Sequence, residues 1–289
     1  MRIKLVIILL TIISIIPACS TKPKNPGDVY SVRRQAESQL ALGGKHADRG
    51  DFESALNILD EALRLAVTVD DPSLRIRVGL SRGNALFSLG RGGEAEEAWN
   101  GALSEAERVR NGELAAVSRI HIAWGKLLST ASADMAAVAR PIRDNVSRDM
   151  SAIKDRYYAA FAWTVRGLAE KGLGNYPQAE AAVLRALDIH EKDRYFELAA
   201  YDWYMIASFR SLNGKYTEAL KALDSAIAFD RRVENSWGLA SDWRAMGVVY
   251  GKAGDGESSR AAYLRAAEIF KAIGNSEAEA EARSHAEKP

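Results

Sequence analysis

Trp203-Tyr204-Met205-Ile206-Ala207-Ser208-Phe209-Arg210-Ser211-Leu212-Asn213-Gly214-Lys215-Tyr216-Thr217-Glu218-Ala219-Leu220 is the stretch that decides the fold. A tryptophan stands four residues before a small residue, so the two share one helix face, one turn apart. Seven residues further comes Gly214, suited to the left-handed turn that ends a helix. Tyr216 and Ala219 then open a second helix. Forty residues earlier Trp163, Gly167, Gly174, Tyr176 and Ala179 repeat the skeleton, and forty later Trp243, Gly247, Gly254 and Ser259 do so again.

Extended both ways, the register gives four columns. A small residue recurs at Gly43, Gly83, Gly125, Gly167, Ala207 and Gly247, and a turn residue at Gly50, Gly90, Ser132, Gly174, Gly214 and Gly254. A third column reads Ala55, Ala95, Ala137, Ala179, Ala219, Ser259, and a fourth Ala62, Ala102, Asp144, Ala186, Ala226, Ala266. Successive units are spaced 40, 42, 42, 40 and 40 residues. Small residues at these places let two antiparallel helices approach, and the tryptophans fill the seam between neighbouring hairpins. Helix formers (Ala, Leu, Glu, Arg) dominate from residue 33, and period-two runs of Val, Ile and Thr are nearly absent, so no sheet is expected.

Tryptophan four before glycine, glycine and tyrosine in the turn, then alanine at two places in the second helix resembles the tetratricopeptide-repeat (TPR) consensus. The 40-residue period resembles the longer units of kinesin light chain and Pins-type adaptors rather than the usual 34. The resemblance implies an all-α, right-handed α-solenoid of six helical hairpins over 33–289. Units fall near 36–73, 76–112, 118–155, 160–196, 200–236 and 240–274. A polar capping helix at 276–287 would follow Gly274-Asn275-Ser276 and give the array a wet end. The third unit departs most: Ser132 replaces the turn glycine, Asp144 replaces alanine, and Pro141 falls inside the second helix. A kink or break is expected near Arg140-Pro141.

The chain begins differently. Arg2 and Lys4 precede an apolar run from Leu5 to Ile16, then Pro17, Ala18 and Cys19. This is the order of a secretory signal, and the run is about half of the roughly 20 residues a membrane span needs. Ile16-Pro17-Ala18-Cys19 resembles the bacterial lipobox. The resemblance implies removal of residues 1–18, acylation of Cys19, a tether over 19–32 and residence in the bacterial cell envelope. Ser20 lacks the aspartate associated with inner-membrane retention, which points to the outer membrane.

Composition excludes several activities. Removing Arg2 and Lys4 from 39 basic residues leaves 37 against 38 acidic, with no basic stripe for nucleic acid. Cys19 is the single cysteine, so no internal disulfide or cysteine-rich zinc site can form. His46, His121, His190 and His285 lack metal-ligand spacing, no phosphate-loop or nucleophile-elbow motif is present, and no cofactor, metal or catalytic constellation is expected. His46 reads as a packing residue.

The expected activity is binding. Carrying the family's groove positions onto this chain places Arg77, Leu80 and Asn84 on the concave face in the second unit, and Arg119, Ile122 and Lys126 in the third. Phe161, Thr164 and Lys171 follow in the fourth, Tyr201, Tyr204 and Ser208 in the fifth, and Arg244 and Lys252 in the sixth. Such a groove suits an acidic or partly apolar segment of a protein partner, making the chain an envelope scaffold. The alternative is a small-ligand accessory lipoprotein of a transport system with an aromatic pocket of Phe161, Tyr201, Trp203 and Tyr204.

Overall fold

A computed structural model describes residues 31–287. Residues 1–30, with the leader-like segment and Cys19, lie outside the described part. Thirteen α-helices and no strand occur among the described residues. The first hairpin is α1 (Val32–Asp48) with α2 (Phe52–Thr68), and the second α3 (Pro72–Ser88) with α4 (Gly92–Arg108). The third is α5 (Gly112–Ser129) with α6 (Met135–Asp149), followed by a 3₁₀ turn at Met150–Ala152. The fourth is α7 (Arg156–Gly172) with α8 (Tyr176–Lys192), the fifth α9 (Phe196–Leu212) with α10 (Tyr216–Arg232), and the sixth α11 (Ser236–Ala253) with α12 (Gly256–Ala272). A closing helix, α13 (Ser276–Ala286), packs on α12 and buries Ala282 and Ala286. The units thus start about four residues before the positions expected from the columns.

Local chemistry sets these boundaries. Asp51, Asp71, Asn111, Asp155, Asn235, Asp255 and Asn275 stand at helix starts, each accepting a backbone N–H two or three residues on. Each such cap contributes about 1 kcal/mol. Gly214 closes α9 at φ +75°, a left-handed backbone that costs glycine nothing. The small-residue column does what the pattern requires. A Cβ on Gly247 would lie 2.8 Å from Tyr263 Cδ2, and one on Gly43 would lie 2.7 Å from Leu59 Cγ. Trp203 and Trp243 pack against the cluster built on Leu223, Ile206 and Met246.

The third unit corrects the sequence register. Its first helix starts 40 residues after α3 and 44 before α7. Counted from the helix starts, Ala123 matches Gly83 and Gly167, whereas Gly125 matches Ala85 and Ala169. In α6 the buried stripe is Ala139, Ile142 and Val146, while Ala137 and Asp144 are exposed. The even spacings of 42 therefore conceal one four-residue insertion between Ala123 and Ala139. It sits at the α5–α6 turn, which runs over 130–134 where the other hairpins turn in three residues or fewer. Without a glycine to reverse the chain tightly, the turn lengthens and α6 begins late. The expected break at Arg140-Pro141 is absent, because α6 runs through Pro141. Pro141 and Ala137 are both exposed, so water can take the carbonyl bond that the proline removes.

Alternate helices of the first set touch one another (α1 with α3, α3 with α5, α5 with α7, α9 with α11). That closer set lies on the inside of the curve. The coil continues until the first hairpin's turn meets the sixth unit. The Phe52 and Trp237 rings stand edge to face with centroids 6.4 Å apart, and a Cβ on Gly50 would lie 2.9 Å from Trp237. Asp48, at the same turn, is exposed at its surface yet raised to about 7, first by the protein crowded around it and then by the charge of Glu197 in α9.

Candidate functional site: the inner face and its seams

The inner face is built by α7, α9 and α11. Lys171, Tyr204, Ser208, Arg244 and Lys252 line one pocket of about 350 Å³, closed at the far end by Glu281 and His285 of α13. Lys171 is lowered by burial and then by the nearby Lys252, so two cations compete for little counter-charge. Tyr201 and Tyr204 stack at 6.2 Å with planes 14° apart. Although Tyr201 is 43% exposed, the protein that surrounds it inside the coil pushes its phenol up to about 12, with Tyr204 and then Asp202 adding to it. Arg244 bonds Glu281 at 3.0 Å and lies over the Phe270 ring, 5.8 Å from its centroid.

Other expected groove residues sit elsewhere. Leu80 is 2% exposed and Thr164 6%, so both belong to the packed interior. The Asn84 amide oxygen accepts from Trp99 Nε1 at 3.1 Å and pairs with His121 Nδ1 at 3.0 Å, bracing the second hairpin against the third. Burial pushes His121 down to about 3, so it is the neutral donor in that pair. Arg77, by contrast, holds the helix position of Tyr201 on the inner face and lies 3.9 Å from Glu37 at the same position of α1. Arg119 bonds Asp149 at 2.6 Å and lies 3.9 Å from Glu107. In the corrected register Arg119, Ile122 and Lys126 occupy the positions of Trp203, Ile206 and Arg210, which face the second helices on either side, Arg210 reaching Glu180 of α8 at 2.7 Å. They line a cleft that α5 floors between α4 and α6, instead of the concave face. His46 is half-buried and engages Asp51 at 2.8 Å.

The aromatic pocket does not assemble. Phe161 stacks on His121 with centroids 4.4 Å apart, Tyr201 pairs with Tyr204, and Trp203 packs into the core with its Nε1 buried and unpartnered.

Two ionisable pairs were hidden from sequence reasoning. Where one unit's second helix meets the next unit's first, residues twelve apart face each other. These seams read Ala66/Val78, Ala106/Ser118, Met150/Ala162, His190/Asp202, Asp230/Asp242 and Phe270/Ala282. In the fourth-to-fifth seam His190 Nδ1 bonds Asp202 Oδ2 at 2.6 Å, with Asp202 wholly buried. Burial raises the Asp202 carboxyl, and the bond to His190 pulls it down. In the fifth-to-sixth seam Asp230 and Asp242 are 3% and 2% exposed. Burial raises Asp242 far above the carboxylate range, and Asp230 adds to it. Burial raises Asp230 too, while Asn235, donating at 3.0 Å, opposes it. Buried Asp242 Oδ2 has no partner unless it carries the proton that it donates to Asp230. The periodicity at 40 was the available signal, but charged residues read as surface until burial is known.

Comparison with solved structures now defines the class. A Rap protein complexed with competence and sporulation factor superposes with a TM-score of 0.60 at 14% identity, over 86% of this chain and 72% of that one. A thermophilic TPR protein of Thermus thermophilus gives 0.50 at 18% identity, over 71% and 98%. PilW, a type IV pilus biogenesis factor, gives 0.50 at 16% identity, over 85% and 97%. No family profile and no curated protein matches the sequence. The chain has the TPR-type fold: six helical hairpins and a closing helix in one α-solenoid.

Proposed function

We propose that the chain is a protein–protein interaction scaffold of the bacterial envelope, anchored through acylated Cys19 and gripping a segment of a partner on its concave face. The observation that carries the gripping role is the pocket of α9 and α11. There Lys171, Arg244 and Lys252 surround Tyr204 with Glu281 as the one carboxylate in the lining. Arginine and aromatic anchors in a desolvated concavity supply most of the energy in such interfaces, and the cation excess suits an acidic, partly apolar segment. Solenoids of this fold serve assembly roles, as in the pilus biogenesis factor among its structural neighbours. The envelope placement rests on the order of residues 2–20 alone. Dual or triple acylation holds a protein firmly, whereas one chain binds marginally.

Partner capture from solubilised membranes tests the grip. A partner retained by the natural chain should be lost with Tyr204→Ala combined with Arg244→Glu, and equal retention by both would remove the groove from consideration. Palmitate labelling tests the anchor: Cys19→Ser should abolish the label and release the chain from membranes. A natural chain that takes no label would end the lipoprotein reading.

A further inference from the structure

The third hairpin packs Ile120 and Leu127 against Ala139, Ile142 and Val146, but its side toward α4 is left open. In the fifth unit Trp203 and Ile206 of the first helix pack with Leu223 of the second, and in the sixth Trp243 and Met246 pack in the same cluster. The matching residues of the third unit are Arg119, Ile122 and Arg143. Arg119 turns to Asp149, and Arg143 to Asp144 at 2.8 Å. The seam is braced at its open end by the Arg119–Asp149 bond and is empty in the middle, leaving a cleft of about 570 Å³. Its floor is Leu103, Ile122, Ile142 and Val146. Its cations lie at both ends, with Arg119 and Arg148 at one and Lys126 at the other. Asp149, already engaged by Arg119, is the single carboxylate of the lining.

We propose that this cleft is a second docking site, which takes an extended segment of a protein partner. The segment carries a large aliphatic side chain between two carboxylates. Arg119 and Lys126 are seven residues apart on α5, about 10 Å along the helix, and three residues of polyproline II chain span about 9 Å and return the fourth side chain to the face of the first. The pattern is acid, aliphatic residue, any residue, acid. The aliphatic side chain takes the place that Trp203 or Trp243 fills in the intact seams. A fatty acid would match the floor but satisfy the cations at only one end, which favours the peptide. The site shares no lining residue with the pocket around Tyr204, so it deepens the scaffold reading without depending on the concave grip.

The test uses the full chain in neutral phosphatidylcholine nanodiscs and a fluorescent, end-blocked peptide of sequence Glu-Leu-Ala-Glu, read by polarisation. The expected result is saturable binding, roughly tenfold weaker in Lys126→Glu, as expected when one partly exposed ion pair is replaced by a repulsion. Binding should be unchanged in Tyr204→Ala and in Arg260→Glu, an exposed site outside the cleft. Lys126 is exposed, so its replacement leaves the fold intact. Equal binding of the Lys-Leu-Ala-Lys peptide overturns the proposal. So does weakening by Tyr204→Ala with none by Lys126→Glu, which would return the peptide to the concave groove and leave the scaffold reading standing. Uptake of a fluorescent dodecanoate that Lys126→Glu abolishes, with no peptide binding, assigns the cleft to lipid and also overturns it.

Discussion

Phe52, in the second helix of the array, and Trp237, in its eleventh, meet edge to face at 6.4 Å and close the coil on itself. The contact joins elements that are remote in sequence, unlike almost everything else in a solenoid, where each unit leans only on its neighbours. An edge-to-face aromatic pair contributes about 0.5–1.5 kcal/mol beyond its buried area, enough to bias a shape without dominating stability. Trp237→Ala should therefore open the coil, seen as a larger radius of gyration in solution X-ray scattering, while the melting temperature barely moves. An unchanged radius would mean that neighbour-to-neighbour packing alone sets the curvature.

The acid pair at the fifth-to-sixth seam predicts a pH effect of definite sign. Asp242 holds a proton in the folded chain at pH values where the unfolded chain has released it. The folded state then binds more protons, so stability is greatest below the usual carboxylate range and falls as pH rises above it. Asp242→Asn keeps a donor toward Asp230 and cannot ionise. Its unfolding free energy should exceed that of the natural chain at pH 8 by the roughly 1–3 kcal/mol that an unmatched buried polar group costs, seen as a higher melting temperature, and the two should converge near pH 4. Parallel pH curves for the two proteins would show that Asp242 does not titrate across this window.

The six-hairpin order was legible because glycine and alanine columns are geometric necessities of helix pairing. The third unit was misread because Gly125 is small for another reason. It stands where other units carry alanine (Ala85, Ala169), and the nearest atoms to a Cβ placed there all belong to Trp99. Matching it to Gly83 shifted the register by two and turned Arg119 and Lys126 from a hairpin seam onto the concave face. The ionic seams were illegible for a different reason. His190, Asp202, Asp230 and Asp242 carry no sign in sequence that they are buried, and burial is what gives them their chemistry. Closure through Phe52 and Trp237 depends on curvature summed over five interfaces, which no local pattern encodes.

Arg110 links the second unit to the third with φ +56°, a left-handed backbone at a residue with a Cβ. Gly274 occupies the matching turn after the sixth unit at φ +77°. The left-handed conformation costs an L-residue about 1–2 kcal/mol, and glycine gives back about half of that through the entropy of the unfolded chain. Arg110→Gly should raise stability by about 0.5–1 kcal/mol in urea denaturation at an unchanged m-value. A loss of stability would mean that the exposed guanidinium makes a contact worth more than the backbone strain.

Trp99 fixes the tightest fit in the small-residue column. All the nearest atoms to a Cβ on Gly83 belong to its indole, which cannot step aside. Its Nε1 donates to the Leu80 carbonyl at 3.2 Å and to Asn84 at 3.1 Å, and its far edge lies against Gly125. Gly83→Ala should therefore destabilise by about 1–3 kcal/mol, the range for an added methyl in a packed interior. At this chain length each kcal/mol lowers the melting temperature by about 2–4 °C. Fitting alanine here needs a smaller partner, which the fifth unit already shows by pairing Ala207 with Leu223 in one cluster. Trp99→Leu alone leaves a cavity and costs stability, but Gly83→Ala made on that background should cost much less than in the natural chain. The double-mutant cycle measures the difference directly. Additive losses would show that the clash is relieved by movement of α3 against α4, and that the glycine column reflects helix spacing rather than the indole.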